Sequence, residues 1–171
     1  MNYRRLLLDG HSYYITMVTH RRRPWLVEYI DLLRQAFALS RSRFDYSIDA
    51  IVVLPDHLHM IITPERAEEY PQIVTQIKRG FVYLLPKELK QEAKLSLTPS
   101  QYKKGHSGIW QSRYYEHTIR NEKDWLEKME YIRNNPVKHG LCKRWDEWEY
   151  SSFTKPRRSG SPDPDICLIR R

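Results

Sequence analysis

The sequence has little cysteine, and this scarcity excludes some classes of protein. Only two cysteines occur in 171 residues, Cys142 and Cys167, and they form no CxxC motif. A domain stapled by several disulfides and a cysteine-bound zinc site are therefore not expected. Both thiols are predicted to be free, in a protein of the cytoplasm.

Long apolar runs are also missing. Apolar runs such as residues 50–54 and 60–62 fall far short of the roughly 20 residues that span a bilayer. Arg4, Arg5 and Asp9 interrupt the early apolar run that a signal peptide needs. We therefore expect neither a membrane segment nor a secretion signal.

Acidic residues are outnumbered: 21 Asp and Glu face 29 Lys and Arg, which gives a formal net charge of +8. Such an excess favours a polyanionic partner such as nucleic acid, but charge alone does not select one. Aromatic residues make up 12% of the chain, which argues against disorder. Residues 1–154 are predicted to form a single domain and residues 155–171 a basic, flexible tail.

Hydrophobic periodicity and turn residues divide the domain into alternating strands and helices. In chain order the predicted elements are a strand at 13–19, a helix at 26–41, a hairpin of strands 46–53 and 58–63, a helix between Pro71 and Pro86, a poorly ordered stretch at 87–108, a strand at 109–119, and a helix from Asn121 to Asn135 that Pro136 and Gly140 terminate. The order β-α-β-β-α-β predicts an α+β fold, a ferredoxin-like sandwich with helices on one face of an antiparallel sheet. The additional C-terminal helix carries Tyr131.

A His-Leu-His sequence opens the second strand of the hairpin. Because side chains alternate along a strand, His57 and His59 point to the same face, with Cα atoms roughly 7 Å apart. Two imidazoles so placed can converge on one metal ion, or they can be ordinary polar residues at a strand end. A site of mixed nitrogen and oxygen ligands suits Mg²⁺ or Mn²⁺, and its third ligand must come from elsewhere.

The last predicted helix has a tyrosine outside its apolar stripe. That stripe consists of Trp125, Leu126, Met129 and Ile132. Tyr131 lies on the polar side, about 40° from Asn135 and on the same side as Lys128 and Asp124. It is either a half-exposed tyrosine without a further role or a nucleophile with Asn135 as a metal ligand.

Three segments, LPDHLHMII, GIWQSRYYEHTIRNE and YIRNNPVKHGL, resemble in order signature segments of the REP-associated tyrosine transposases. These are single-tyrosine members of the HUH endonuclease superfamily. The opening YYITMVTHRRRPWL and the closing WDEWEYSSF also fit, so the resemblance covers residues 13–153. Lys138 and His139 stand where Arg and Ala are commoner, and the 87–108 stretch is longer than usual.

The resemblance implies a metal-dependent DNA transposase and endonuclease that cleaves and rejoins single-stranded DNA near hairpin ends. Tyr131 would be the nucleophile that forms a 5′-phosphotyrosine intermediate. His57, His59 and Asn135 would be the ligands of a divalent ion, Mg²⁺ or Mn²⁺. The partner would be single-stranded DNA with a hairpin, and both a monomer and a homodimer fit the chain.

Basic and aromatic residues near these segments are candidates for DNA contacts, since aromatic rings stack on bases and cations contact phosphates. The same residues can equally be solvated charges or core aromatics. The candidates are Arg21, Arg22, Arg23, Lys78, Arg79, Gln111, Arg113, Tyr115, Lys128, Arg157 and Arg158. His106, His117 and His139 have no partner at a useful spacing and are expected to serve the surface or the core.

Two other functions compete with the transposase hypothesis. One is a non-catalytic nucleic-acid-binding regulator derived from such a transposase, and the other is a metal-dependent hydrolase without a covalent intermediate. The intact His-Leu-His sequence and Tyr131 argue against an inactivated copy, and a hydrolase would leave Tyr131 without a role. A cleft shared by Tyr131 and the histidine pair would favour the transposase, since nothing else requires them to meet.

Overall fold

A four-stranded antiparallel sheet forms the centre of the computed structural model, which describes residues 9–154. Its strands are β1 (Tyr13–Val18), β2 (Tyr46–Val53), β3 (His57–Pro64) and β4 (Tyr115–Thr118). They lie side by side in the order β2-β3-β1-β4, so the two central strands are β3 and β1. The antiparallel sheet and its helices confirm the predicted α+β, ferredoxin-like class.

Six α-helices accompany the sheet in residues 9–154. They are α1 (Trp25–Glu28), α2 (Ile30–Arg41), α3 (Tyr70–Leu84), α4 (Lys87–Leu95), α5 (Pro99–Lys103) and α6 (Glu122–Lys138), and short 3-10 turns occur at His20–Arg22, Ala67–Glu69 and Trp145–Glu147. The single helix predicted at 26–41 is divided at Tyr29, whose φ of −112° and ψ of 38° are not helical. No helix in residues 9–154 has the length and apolar character needed to cross a bilayer.

The larger core lies between one face of the sheet and helices α2 and α3. Alternate residues of the central strands point into it, which is why Ile15 of β1 and Leu58 and Met60 of β3 are fully buried. The two helices approach closely at Gly80, where an added Cβ would lie 3.3 Å from the Cβ of Ala36. Most of the buried apolar residues of the described chain belong to this core.

The opposite face of the sheet is covered by α6. Tyr14 of β1, Val52 of β2 and Ile61 of β3 form a smaller apolar cluster there with Ile132 of the helix. The prediction of helices on one face therefore holds for α2 and α3, and the tyrosine helix packs on the other. His57 and His59 point to this second face, since His59 pairs with Thr16 and His57 with Val18 in the β1–β3 register.

Two local predictions, for residues 87–108 and 109–119, were wrong. The 87–108 stretch was predicted to be poorly ordered but contains α4 and α5, and Thr98 caps α5 by accepting a hydrogen bond from the Gln101 N–H. The strand predicted at 109–119 is regular only in β4, with one isolated bridge between Trp110 and Thr19.

The end of the last helix also differs from the prediction. Asn121 caps α6 as expected, by accepting a hydrogen bond from the Asp124 N–H. Pro136 lies inside the helix rather than ending it. The helix ends before Gly140, whose φ of 69° is left-handed. Cys142 is a free thiol, whereas Cys167 and the predicted tail lie outside the described residues.

Candidate active site

The two histidines of β3 form the base of the site. β3 begins at His57, directly after the turn at Pro55 and Asp56, and both histidines are 5% exposed. Their ring centroids are 5.0 Å apart. The sheet therefore presents two adjacent imidazoles on the face that α6 covers.

His57 is oriented by the residue before it. Its Nδ1 lies 2.6 Å from Oδ1 of Asp56, and Oδ2 of Asp56 lies 3.1 Å from Nη1 of Arg22. Burial alone would raise the pKa of Asp56, but the hydrogen bonds from His57 and Arg22 outweigh it and lower that pKa. The Asp56 carboxylate thus accepts hydrogen bonds from both His57 and Arg22.

His59 is oriented by two hydroxyl groups of β1. Its Nδ1 lies 2.8 Å from the Tyr14 hydroxyl and 2.8 Å from the Thr16 hydroxyl. Its Nε2 is buried and has no hydrogen-bond partner among the described residues. Burial, together with the positive charges nearby, lowers the pKa of His59 to about 3, so the ring is the neutral imidazole that binds metals.

Tyr131 of α6 lies directly over this base. Its ring centroid is 5.2 Å from that of His59 and 6.2 Å from that of Tyr14. The ammonium of Lys138 lies 5.0 Å from the Tyr131 ring centroid. At 39% exposure the Tyr131 side chain is open to solvent on one side. A phenol accessible to an incoming strand therefore sits next to the histidine pair.

Asn135 lies one helical turn after Tyr131, on the same side of α6. It is fully buried, and neither atom of its amide has a hydrogen-bond partner among the described residues. His139, a further turn along, has its ring centroid 5.0 Å from that of His57. Because Tyr131 contacts His59 and His139 contacts His57, Asn135 lies between them on the side of α6 that faces the histidine pair.

These donors suit a divalent ion. Residues 9–154 contain no cluster of three or more His, Cys, Asp or Glu side chains that could hold a metal. The available donors are instead the buried Nε2 of His59, the imidazole of His57 and the amide oxygen of Asn135. Two imidazoles and one amide leave positions for water and phosphate oxygens, so the residues present fit Mg²⁺ or Mn²⁺.

The tyrosine helix presents part of its polar side to the sheet. Asp124 accepts from Nε2 of His117 at 2.7 Å, and the ammonium of Lys128 lies 5.3 Å from the Tyr14 ring centroid. Leu126, predicted to belong to the packing stripe, is 53% exposed. That part of the prediction was wrong, because the helix is rotated so that Lys128 and Asn135 approach the sheet.

The candidate DNA-contacting residues lie in several places. Tyr115 is exposed beside the site, with its ring centroid 6.2 Å from that of Tyr14, and Lys128 flanks the same ring. Arg21, Arg22 and Arg23 form an exposed turn at the end of β1. The ammonium of Lys78 donates to the Gln111 carbonyl at 2.7 Å, and burial lowers its pKa to about 8. Arg79, Gln111 and Arg113 are exposed, whereas Arg157 and Arg158 lie outside the described residues.

Four residues at the site were missed by the sequence predictions. Tyr14, Thr16, Asp56 and His139 all contact the histidine pair. The adjacency of Asp56 to His57 was a usable signal. No local pattern in the sequence indicates that β1 lies beside β3 in this register.

Comparisons with known proteins establish the family of this chain. The family model of IS200-like transposases matches residues 8–135. A Haemophilus influenzae protein with the provisional name REP-associated tyrosine transposase is 38% identical over 96% of this chain and 97% of its own length. The REP-associated tyrosine transposase of Escherichia coli is 33% identical over 88% of this chain and 81% of its own.

A solved structure of a REP-associated tyrosine transposase bound to a REP hairpin superposes with a TM-score of 0.71. It is 29% identical in sequence, and the match covers 95% of this chain and 92% of that one. Family, relatives and fold therefore agree, and the chain belongs to the REP-associated tyrosine transposases of the IS200-like family.

Proposed function

We propose that this transposase is a metal-dependent endonuclease and strand transferase that cuts and rejoins single-stranded DNA near hairpin ends through a 5′-phosphotyrosine. The observation that carries the proposal is the contact between Tyr131 and His59, whose ring centroids are 5.2 Å apart although they come from distant parts of the chain. A tyrosine that served only packing has no reason to lie there. The amide of Asn135 on the same helix, which has no hydrogen-bond partner among the described residues, supports it further.

His57, His59 and Asn135 would hold the Mg²⁺ or Mn²⁺ ion. A divalent ion bound there would supply polarisation of the scissile phosphate and would neutralise its developing charge. The hydroxyls of Tyr14 and Thr16 and the carboxylate of Asp56 orient the two imidazoles.

In cleavage, the hydroxyl oxygen of Tyr131 forms a bond to phosphorus while the bond from phosphorus to the 3′ oxygen breaks. The phenol loses its proton to solvent, and the leaving 3′ oxygen takes up a proton. The ammonium of Lys138, close to the Tyr131 ring, adds positive charge beside the phosphate that Tyr131 attacks. The tyrosine ester conserves the energy of the phosphodiester, so a 3′-OH can later reverse the attack and rejoin the strand.

Hairpin DNA is proposed as the substrate because the structural relative is bound to a REP hairpin. In this chain the exposed ring of Tyr115 and the ammonium of Lys128 flank the site, where they can stack on a base and contact a phosphate. The exposed turn of Arg21, Arg22 and Arg23 supplies further phosphate contacts at the same end of the sheet as His57.

The test uses hairpin oligonucleotides with single-stranded arms, one labelled on the 5′ side and one on the 3′ side of the cleavage region. Incubated with Mg²⁺ or Mn²⁺, the protein should form an adduct with the downstream fragment only. Tyr131→Phe should abolish cleavage and adduct while hairpin binding persists. Tyr83→Phe is the matched control, because Tyr83 is a tyrosine on α3 that is 80% exposed.

Cleavage that survives in Tyr131→Phe would sink the proposal. Cleavage by the unmodified protein without an adduct would indicate a hydrolase. Hairpin binding without any cleavage would favour the non-catalytic regulator.

A further inference from the structure

The carboxylate of Asp56 joins the histidine pair to the basic turn at the end of β1. Oδ1 of Asp56 lies 2.6 Å from Nδ1 of His57, and Oδ2 lies 3.1 Å from Nη1 of Arg22. The Arg22 side chain is 61% exposed, whereas that of Asp56 is only 21% exposed. A largely buried carboxylate thus connects a surface arginine to an imidazole of the site.

Hydrogen bonds to backbone carbonyls also connect the basic turn to the segment that contains Asp56. Thr19 is fully buried, and both its N–H and its hydroxyl donate to the Asp56 carbonyl at 2.9 Å. The Thr19 hydroxyl also lies 2.8 Å from the Arg23 carbonyl, and the Leu26 N–H donates to the Pro55 carbonyl at 2.9 Å. The turn at residues 19–23 and the turn at Asp56 therefore form one hydrogen-bonded unit.

This unit holds a strained backbone. Arg21 and Arg22 have φ angles of 53° and 51°, in the left-handed region that residues other than glycine rarely occupy. Such conformations persist only where the surroundings hold them, and they are commonest at functional sites. The ion pair with Asp56 is one contact that holds Arg22 in this conformation.

The carboxylate of Asp56 determines which nitrogen of the His57 imidazole carries the proton. An ionised carboxylate only accepts hydrogen bonds, so the neutral His57 ring must carry its proton on Nδ1. The lone pair then lies on Nε2, which is the atom left to bind a ligand. Without this acceptor, none of the contacts that His57 makes with residues 9–154 selects one nitrogen over the other.

We propose that Asp56 is a positioning residue that sets the tautomer of His57, and that Arg22 holds Asp56 in place. The basic turn, the carboxylate and the imidazole then form one connected series of contacts, which we call the relay. The binding of a phosphate at the turn and the binding of an ion at the histidines are therefore coupled. The metal-binding half of this inference rests on the proposed function. The tautomer is a property of the free protein and does not.

The tautomer is measured first, in ¹⁵N-labelled, metal-free protein at pH 8, by long-range proton–nitrogen NMR spectra. His57 should carry its proton on Nδ1 in the unmodified protein, and Asp56→Ala should lose this preference. Asp56→Asn should restore it, because the amide oxygen still accepts from Nδ1. Asp31→Ala is the control, since it removes an aspartate that is paired with an arginine, Arg34 at 2.9 Å, on the exposed surface of α2.

The affinity for Mn²⁺ alone is measured next, by titration calorimetry. It should fall about 10- to 100-fold in Asp56→Ala, as is usual when a partner behind a metal-binding histidine is lost. Arg22→Ala should give a smaller loss with the tautomer retained. A contribution to folding alone would lower the thermal stability of Asp56→Ala but would leave the tautomer of His57 unchanged.

An unchanged tautomer in Asp56→Ala would overturn the role of Asp56, and unchanged Mn²⁺ affinity in Arg22→Ala would remove Arg22 from the relay. Should Asp56→Ala fail to fold, the tautomer of the unmodified protein still tests the first link, because a proton on Nε2 of His57 would overturn it, and Arg22→Ala still tests the second. If the unmodified protein bound no Mn²⁺ and formed no DNA adduct, the proposed function would fail while the tautomer measurement would stand.

Discussion

Replacement of Asn135 by leucine should separate stability from activity. The amide is fully buried, and neither of its polar atoms has a partner among the described residues. Such a group costs about 1–3 kcal/mol of the free energy of unfolding. Leucine has a similar branched shape without the polar atoms, although its larger methyl groups offset part of the gain. We expect Asn135→Leu to raise the free energy of unfolding of the metal-free protein by about 1–2 kcal/mol.

The measurement is thermal unfolding with EDTA and with Mn²⁺. In EDTA the variant should melt higher by about 2–8 °C, since about 1 kcal/mol corresponds to about 2–4 °C for a chain of this size. With Mn²⁺ at about 100 times its dissociation constant, the unmodified protein should gain about 2.7 kcal/mol. The variant should gain much less and should form no DNA adduct, so the order of stability reverses. Asn134→Leu is the control, because the neighbouring amide of Asn134 is paired with Glu130.

Two results would refute this reasoning. A loss of more than about 1 kcal/mol in EDTA would mean that the Asn135 amide makes hydrogen bonds that stabilise the fold. An Mn²⁺ stabilisation equal to that of the unmodified protein would exclude Asn135 as a ligand.

Three further perturbations test the electrostatics of the site and the core of the fold. Lys138→Gln should slow adduct formation in single-turnover assays about fivefold, the equivalent of about 1 kcal/mol, because the ammonium near the Tyr131 ring is lost. Lys138→Arg should restore the rate. An unchanged rate in Lys138→Gln would contradict a role of this charge in cleavage. The pairing with His117 lowers the folded-state pKa of Asp124 despite burial. Asp124→Asn should therefore lower the free energy of unfolding in urea titrations at pH 7, which lies above the unfolded-state pKa of about 4. The difference from the unmodified protein should vanish as the pH falls through the folded-state pKa of Asp124. A difference that persists below that pKa would contradict this role of the pairing with His117. Leu58→Ala, in the larger core, should cost about 2–5 kcal/mol in the same titrations, and a cost below about 1 kcal/mol would be inconsistent with its burial.

The element order was predictable because its periodic patterns are strong, whereas the helices of the 87–103 region were missed. Residues 87–95, KELKQEAKL, have only a short apolar side, Leu89 and Ala93 one turn apart, and the polar composition suggested a loop. The same letters are strong helix formers, and Thr98 with Gln101 forms a capping box before α5. In this region, intrinsic helix propensity and capping residues indicate the helices more clearly than hydrophobic periodicity does.

The helical position of Pro136 depends on tertiary structure that the sequence does not display. A proline inside a helix removes one backbone hydrogen bond, so a helix end at this residue was the reasonable expectation. In the structure Pro136 is buried, and the helix resumes with a hydrogen bond from the His139 N–H to the Asn135 carbonyl. Packing against the sheet keeps the last turn helical, and that turn places Lys138 and His139 at the site.

The orientation of α6 connects the fold to the chemistry. A helix that served packing alone would bury Leu126 and expose Asn135, yet Leu126 is 53% exposed and Asn135 is fully buried. The helix therefore gives up apolar burial and retains an amide whose hydrogen bonds are not satisfied by the described residues. Local rules of this kind are broken mainly where function requires it. The rotation that costs this stability is the one that places Tyr131 over His59, which is why the gain from Asn135→Leu and the loss of cleavage should occur together.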